Sequence, residues 1–142
     1  MDENDEILNY IYQNCEMGRL STEQIINKIE DEELKDVLTE QIKVYTNILN
    51  ETEDMLDESK KQISKSKKMM LHMSIDMSLM KDKASSHIAQ MLIQGSNMGI
   101  IDVTKLLNSY KGADMKIRNL AKRLGDIQKK NIEDLKKFLI KD

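Results

Sequence analysis

Two parts of this chain say nearly the same thing. The segment YQNCEMGRLSTEQIINKI, from Tyr12, lies over IQGSNMGIIDVTKLLNSY, from Ile93, at an offset of 81. Gln13, Met17, Gly18 and Asn27 coincide with Gln94, Met98, Gly99 and Asn108. The apolar positions coincide as well. Leu8, Ile11, Cys15, Gly18, Thr22, Ile25 and Ile29 keep the three- and four-residue spacing of a packed helix face, and Ala89, Leu92, Ser96, Gly99, Val103, Leu106 and Tyr110 repeat it. Downstream, Leu34, Val37, Leu38, Gln41, Val44, Leu49 and Leu56 meet Ile117, Leu120, Ala121, Leu124, Ile127, Ile132 and Leu139 at an offset of 83. The two-residue slip falls in the turns, where an insertion is cheap. A chain built this way folds one supersecondary unit twice.

That unit is a helical hairpin. Asp31 is the expected N-cap of a second helix, with Glu32 and Glu33 in the first turn where the helix dipole favours anions. In the second copy Gly112 is the expected stop and Asp114 the N-cap. STEQ at Ser21 has the form of a capping box that would restart a helix after Gly18, but the face runs on through Gly18, Thr22 and Ile25. The pattern therefore predicts helices near 3–29 and 33–58, then 84–110 and 114–140, in one domain spanning 1–142. With no proline and only five glycines, nothing punctuates the chain as a β-sandwich would, and the fold class is all-α.

Roughly 25 residues, 59–83, separate the hairpins. A helix of 26 residues is about 39 Å long, and a linker returning over that length puts the second and third long helices parallel. Within it, LHMSIDMSL, Leu71 to Leu79, alternates apolar and polar residues, which read alone is a strand signal. A lone strand would have no ladder partner in an all-α chain. Met and Leu are good helix formers, and His72 and Asp76 stand at i,i+4. A helix near 66–81 lying across the bundle is expected, with Met69, Met73, Met77, Met80 and Ala84 as a stripe.

Several functions are disfavoured. A net charge of −3 argues against non-specific binding to nucleic acid, and four Tyr, one Phe and no Trp make a poor stacking platform. The lysines Lys60, Lys61, Lys65, Lys67 and Lys68 are offset by Asp54, Asp57 and Glu58, the pattern of a solvated hinge. A single Cys15 forms no intrachain disulfide, MDENDEIL is acidic where a secretory signal is basic, and no apolar run is long enough for a membrane span. A cytoplasmic location is expected. Cys15 reads as a buried, inert thiol, and Ser85, Ser86 and His87 as a helix N-terminus.

Two similar hairpins joined by a long crossover resemble the ferritin-like superfamily, over nearly the whole chain. In its metal-binding members, helices 1 and 3 each give a Glu, and helices 2 and 4 each give Glu-x-x-His. The resemblance puts Glu16 at the helix-1 position, but its repeat partner is Asn97. The inward positions of helices 2 and 4 are Gln41, Val44, Tyr45 and Ile48, against Leu124, Ile127, Gln128 and Asn131, and no Glu-x-x-His occurs. This points to a bundle without a di-metal centre and to no cofactor. What remains is a mid-bundle polar set, Glu16, Gln41, Tyr45, Ser96, Asn97 and Gln128, readable as a register-fixing hydrogen-bond network or as a remodelled pocket. The small residues Cys15, Ser96, Gly18 and Gly99 are expected to let helices 1 and 3 approach closely.

The expected role is a non-enzymatic interaction or structural protein with a protein partner or self-association as a homodimer, and with no nucleic acid or membrane partner. The Met-rich crossover is its expected contact surface, since Met side chains adapt to varied partners. The alternative is metal binding, either at a remodelled Fe/Mn site around Glu16 or as Cu(I) on Met69, Met70, His72, Met73, Met77 and Met80, because thioethers select Cu(I).

Overall fold

The computed structural model describes residues 2–57 and 65–141. Glu58 to Ser64, with Lys60 and Lys61 of the lysine cluster, and the Lys65 side chain fall outside the description. Among the described residues all regular structure is helical: α1 (Glu3–Ile26), α2 (Glu32–Glu53), α3 (Lys65–Lys81), α4 (Ser85–Ser109) and α5 (Met115–Lys136). Asp2 starts α1 by accepting from the Asp5 N–H at 2.8 Å, and Asp31 starts α2 by accepting from the Leu34 N–H at 3.1 Å. The α1 helix does not restart at Ser21. The Ser21 and Thr22 hydroxyls donate back to the Gly18 carbonyl at 3.1 and 2.6 Å, so they serve the helix they sit in.

The second turn works differently from the sequence expectation. Gly112 is not in a left-handed conformation, and α4 ends on Tyr110. The Asp114 carboxylate makes no cap bond to its own helix. It accepts from Asn4 Nδ2 at 3.1 Å, while the Asp114 N–H donates to Asn4 Oδ1 at 2.8 Å. A tertiary pair replaces the local cap. At the far end of α5 the backbone tightens, with i→i−3 bonds from Phe138 to Leu135 and from Leu139 to Lys136. That shift turns Phe138 into the core and leaves Leu139, which the repeat placed on the inner face, 42% exposed.

Helix ends define the directions. The Asn4–Asp114 pair puts the starts of α1 and α5 together. The Ser85 hydroxyl donates to Asp31 at 2.6 Å, putting the starts of α2 and α4 together at the opposite end. The principal packings are α1 on α2 and α4 on α5. The hairpins meet through α1 and α2 on α5, while α1 and α4 barely touch. The α3 helix packs against α1 and carries the chain back to the end where α4 begins.

The core has two parts. One cluster contains Ile7, Ile11, Cys15, Ile48, Ala121 and Leu124; the other contains Ile25, Leu34, Leu38, Ile88 and Leu135. Ile75 and Leu79 of α3 belong to the second cluster, and burying each is worth about 1.5–3 kcal/mol. The α3 helix is thus a structural layer of the core.

The repeat is physically visible at its glycines. A Cβ on Gly18 would lie 3.1 Å from the Tyr45 ring, and one on Gly99 would lie 2.7 Å from the Gln128 amide carbon. Tyr45 and Gln128 are themselves repeat partners at offset 83. Each glycine thus admits a large side chain from its own hairpin partner. The sequence reading, in which these residues bring helices 1 and 3 together, is corrected: the helices concerned, α1 and α4, are the pair that is splayed. Gly99→Ala is expected to cost about 1–3 kcal/mol by overpacking, offset by about 1 kcal/mol of helix propensity. Gly95→Ala meets nothing within 4 Å and is expected to gain about 0.5–1 kcal/mol. In urea melts Gly95→Ala should therefore be the more stable of the two variants.

Candidate functional site

Between the two core clusters lies a belt of buried polar residues: Thr22 on α1, Gln41 and Tyr45 on α2, Ser96 on α4, and Gln128 and Asn131 on α5. Each sits at a position that faces inward by helix periodicity. Tyr45 accepts from Asn131 Nδ2 at 3.3 Å and is also hydrogen-bonded to Ser96. Burial pushes the Tyr45 hydroxyl's pKa up.

The belt opens into a cavity of about 420 Å³ where α1 and α4 part. Gln41, Tyr45, Ser96 and Gln128 line it, with Met17 and Ile25 of α1, Leu71 and Ile75 of α3, and Met91 and Leu92 of α4 as apolar walls. Four of the six polar residues singled out from sequence are therefore brought together. Glu16 and Asn97 are not. Each follows an inward residue, Cys15 or Ser96, and is turned about 100° around its helix. Glu16 pairs with Arg19 at 2.5 Å, and Asn97 is exposed.

Sequence reasoning missed the chain that links the belt to α4. Gln128 Nε2 donates to Asn14 Oδ1 at 3.1 Å, Asn14 Nδ2 donates to the Tyr10 hydroxyl at 3.2 Å, and that hydroxyl reaches Asp102 and the Gly99 carbonyl at 3.5 Å. Donor accounting fixes its direction. A carboxylate and a carbonyl only accept, so the single Tyr10 proton is directed toward that pair and Asn14 donates to the Tyr10 oxygen. Asn14 then offers its oxygen to Gln128, which spends its NH2 group there. Among the described residues the Gln128 Oε1 atom is left with no partner, as is Gln41 Nε2. An unsatisfied buried polar group costs about 1–3 kcal/mol. Asn14 lies one residue off the α1 face, which is why periodicity did not flag it. Burial, reinforced by the Asp102 charge, raises the Tyr10 pKa.

The belt offers amides, hydroxyls and a phenol. These do not fit the carboxylate-rich di-metal centre that the ferritin-like resemblance would imply. Among the described residues no three or more His, Cys, Asp or Glu are grouped to hold a metal ion. Cys15 is fully buried, and its thiol is pushed up to about 12, first by burial and then by the Glu16 charge. Ser85, Ser86 and His87 diverge. Ser85 goes to Asp31, Ser86 exchanges bonds with the Ile140 backbone, and His87 Nε2 lies 2.9 Å from the Ser78 hydroxyl.

The second candidate surface is the outer side of α3. Leu71, Ile75 and Leu79 recur every four residues on one side, whereas Met69, Met73 and Met77 recur every four residues, offset by two. Two residues are about 200° on a helix, so these stripes lie on opposite faces and interleave as alternation. That is the physical origin of the strand-like pattern. The inner stripe packs, while Met69, Met70, Met73, Met77 and Met80 are all more than half exposed, from 56% to 84%. Asp76 fastens the helix to α1: it accepts from Gln24 Nε2 at 2.9 Å and pairs with Lys28. His72 turns to the same carboxylate at 3.3 Å. These partners, Lys28 first, hold the Asp76 carboxyl below its usual range.

Comparison with family models, with curated proteins and with solved structures returns no match to this chain. No helix among the described residues is long and apolar enough to cross a membrane.

Proposed function

We propose that this chain is a non-enzymatic, ferritin-like helical bundle without a di-metal centre, and that it acts by binding the amphipathic helix of a partner protein on the outer face of α3. The observation that carries this reading is the set of five exposed methionines on one side of a helix whose other side is locked into the core. An apolar patch of this kind is a recognised mark of an interaction site, and thioether side chains mould to varied partner surfaces. Lys68, Lys81 and Lys83 are exposed at the two ends of the patch, in a chain that is acidic overall. The partner helix that fits would carry acidic residues flanking its apolar stripe. The two parallel pairs of helix starts and the returning crossover support the ferritin-like comparison.

The test uses a designed amphipathic peptide with a leucine face and glutamate flanks, and a control peptide with lysine flanks. The wild-type protein is expected to bind the acidic peptide saturably. Met73→Ser/Met77→Ser should abolish that binding while shifting folding stability by no more than about 0.5 kcal/mol. Equal binding of both peptides, or equal binding by the double variant, would remove the proposal. A wild-type dimer in sedimentation that the same double variant dissolves would reassign the face to a second copy of the chain.

A further inference from the structure

The α3 helix keeps two kinds of apolar side chain apart. Its core face is alkyl, with Leu71, Ile75 and Leu79, and its outer face is thioether, with Met69, Met70, Met73, Met77 and Met80. At about 100° per residue, the five methionines fall within a sector of about 100° on the helix wall. Ser66 is the only other α3 residue in that sector. We propose that this face binds one soft monovalent metal ion, Cu(I), through thioether sulfurs alone. Met73 and Met77 hold the ion, and Met70 or Met80 completes a three-coordinate site.

Spacing supplies the first argument. Met73 and Met77 are four residues apart, which sets their Cβ atoms about 5–6 Å apart on neighbouring turns. Met70 and Met80 lie three residues to either side of that pair, and an unbranched side chain with three rotatable bonds lets the sulfurs converge between the turns. The second argument is segregation. Apolar contact alone is served as well by leucine, and the inner stripe of this same helix is Leu, Ile and Leu. No methionine is among the described buried residues, although methionine is an ordinary filler of cores. What the outer face has and the inner face lacks is sulfur. The third argument is ligand chemistry. The sector holds no carboxylate and no imidazole; Asp76 and His72 stand at its edge, and Asp76 is taken up by Lys28 and His72. Hard cations require oxygen ligands, whereas neutral thioethers select Cu(I). Lys68 and Lys81 beside the face are exposed, so solvent and salt screen their charge from a monovalent ion. The inference does not rest on the docking of a partner helix.

Silver(I), a redox-inert analogue of Cu(I), is titrated into the full chain carrying isotope-labelled methionine methyl groups and followed by NMR, with Cu(I) under anaerobic conditions as the second probe. One equivalent is expected to saturate the site and to shift the Met73 and Met77 methyl signals together with that of Met70 or Met80. Met98 and Met115 are exposed but have no second methionine within four residues, and their signals should stay in place. Met73→Leu/Met77→Leu keeps the face apolar and helical. It is expected to weaken silver binding at least about tenfold while leaving binding of the acidic peptide intact, so the metal reading and the partner reading fail separately. Unmoved Met73 and Met77 signals would overturn the proposal, as would equal shifts at Met98 and Met115, equal affinity of the leucine variant, or saturation of the same signals by Zn(II). Silver uptake that disappears with Cys15→Ala would place the ion on the thiol and overturn it. Loss of binding in His72→Gln would make an imidazole the ligand and overturn it as well.

Discussion

Leu79→Ala is expected to destabilise the protein by about 2–5 kcal/mol, and Met80→Ala, one residue on, by no more than about 0.5 kcal/mol. Leu79 is 2% exposed and packs in the cluster with Ile75, Ile88 and Leu135, so truncation leaves a cavity that its neighbours fill only in part. Met80 is 84% exposed, and little is lost with it. Urea denaturation followed by circular dichroism measures both. Comparable losses in the two variants would mean that the inner and outer faces of α3 are wrongly assigned. A small loss in both would mean that α3 is not part of the folding core. The same contrast separates stability from binding. The inner stripe should change unfolding and the outer stripe partner affinity, so a surface role can be measured on a folded protein.

Alkali is expected to destabilise the protein steeply, through groups that burial keeps protonated. The Cys15 thiol moves from an ordinary 9.0 up to about 12, and the Tyr10 and Tyr45 hydroxyls are raised in the same direction from 10.0. As pH rises past about 9, the unfolded chain releases these protons while the folded chain retains them. The resulting stability is complete below about pH 9 and declines as pH climbs toward 12. For Cys15 alone, three pH units amount to about 4 kcal/mol at the top of that window. Unfolding free energies at pH 8, 9.5 and 10.5 should fall in sequence, and Cys15→Ala should flatten part of the decline. The same shift lowers the native thiolate fraction near pH 8 about a thousandfold, so a thiol reagent should label Cys15 only after unfolding. Rapid native labelling would show that Cys15 is not in the core.

The polar belt was only half legible in the sequence. Periodicity located Gln41, Tyr45, Ser96 and Gln128, because a residue's place on a helix face follows from its number alone. It misplaced Glu16 and Asn97, each one residue past the inner face. It missed Asn14, Tyr10 and Asp102, whose linkage joins three different helices. Nor does a sequence show that an amide has used one end and left the other empty. That follows from which acceptors happen to lie nearby.

By itself, the chain determined that it would be helical, that it would use one hairpin twice, and that the two glycines and the Asp31 cap would occupy equivalent or expected places. All of these depend on spacing and local backbone chemistry, which a single strand of text carries. The tertiary structure alone decided which face of α3 is buried, since Leu71, Ile75 and Leu79 and the methionines opposite them are both apolar stripes of the same period. It also decided that α1 and α4 part rather than meet, leaving room for a cavity at the belt. Both outcomes are choices among partners: two apolar faces compete for one core, and two helices either close on each other or admit a third between them. Local propensity is the same for either result, and only the summed burial of the folded chain separates them.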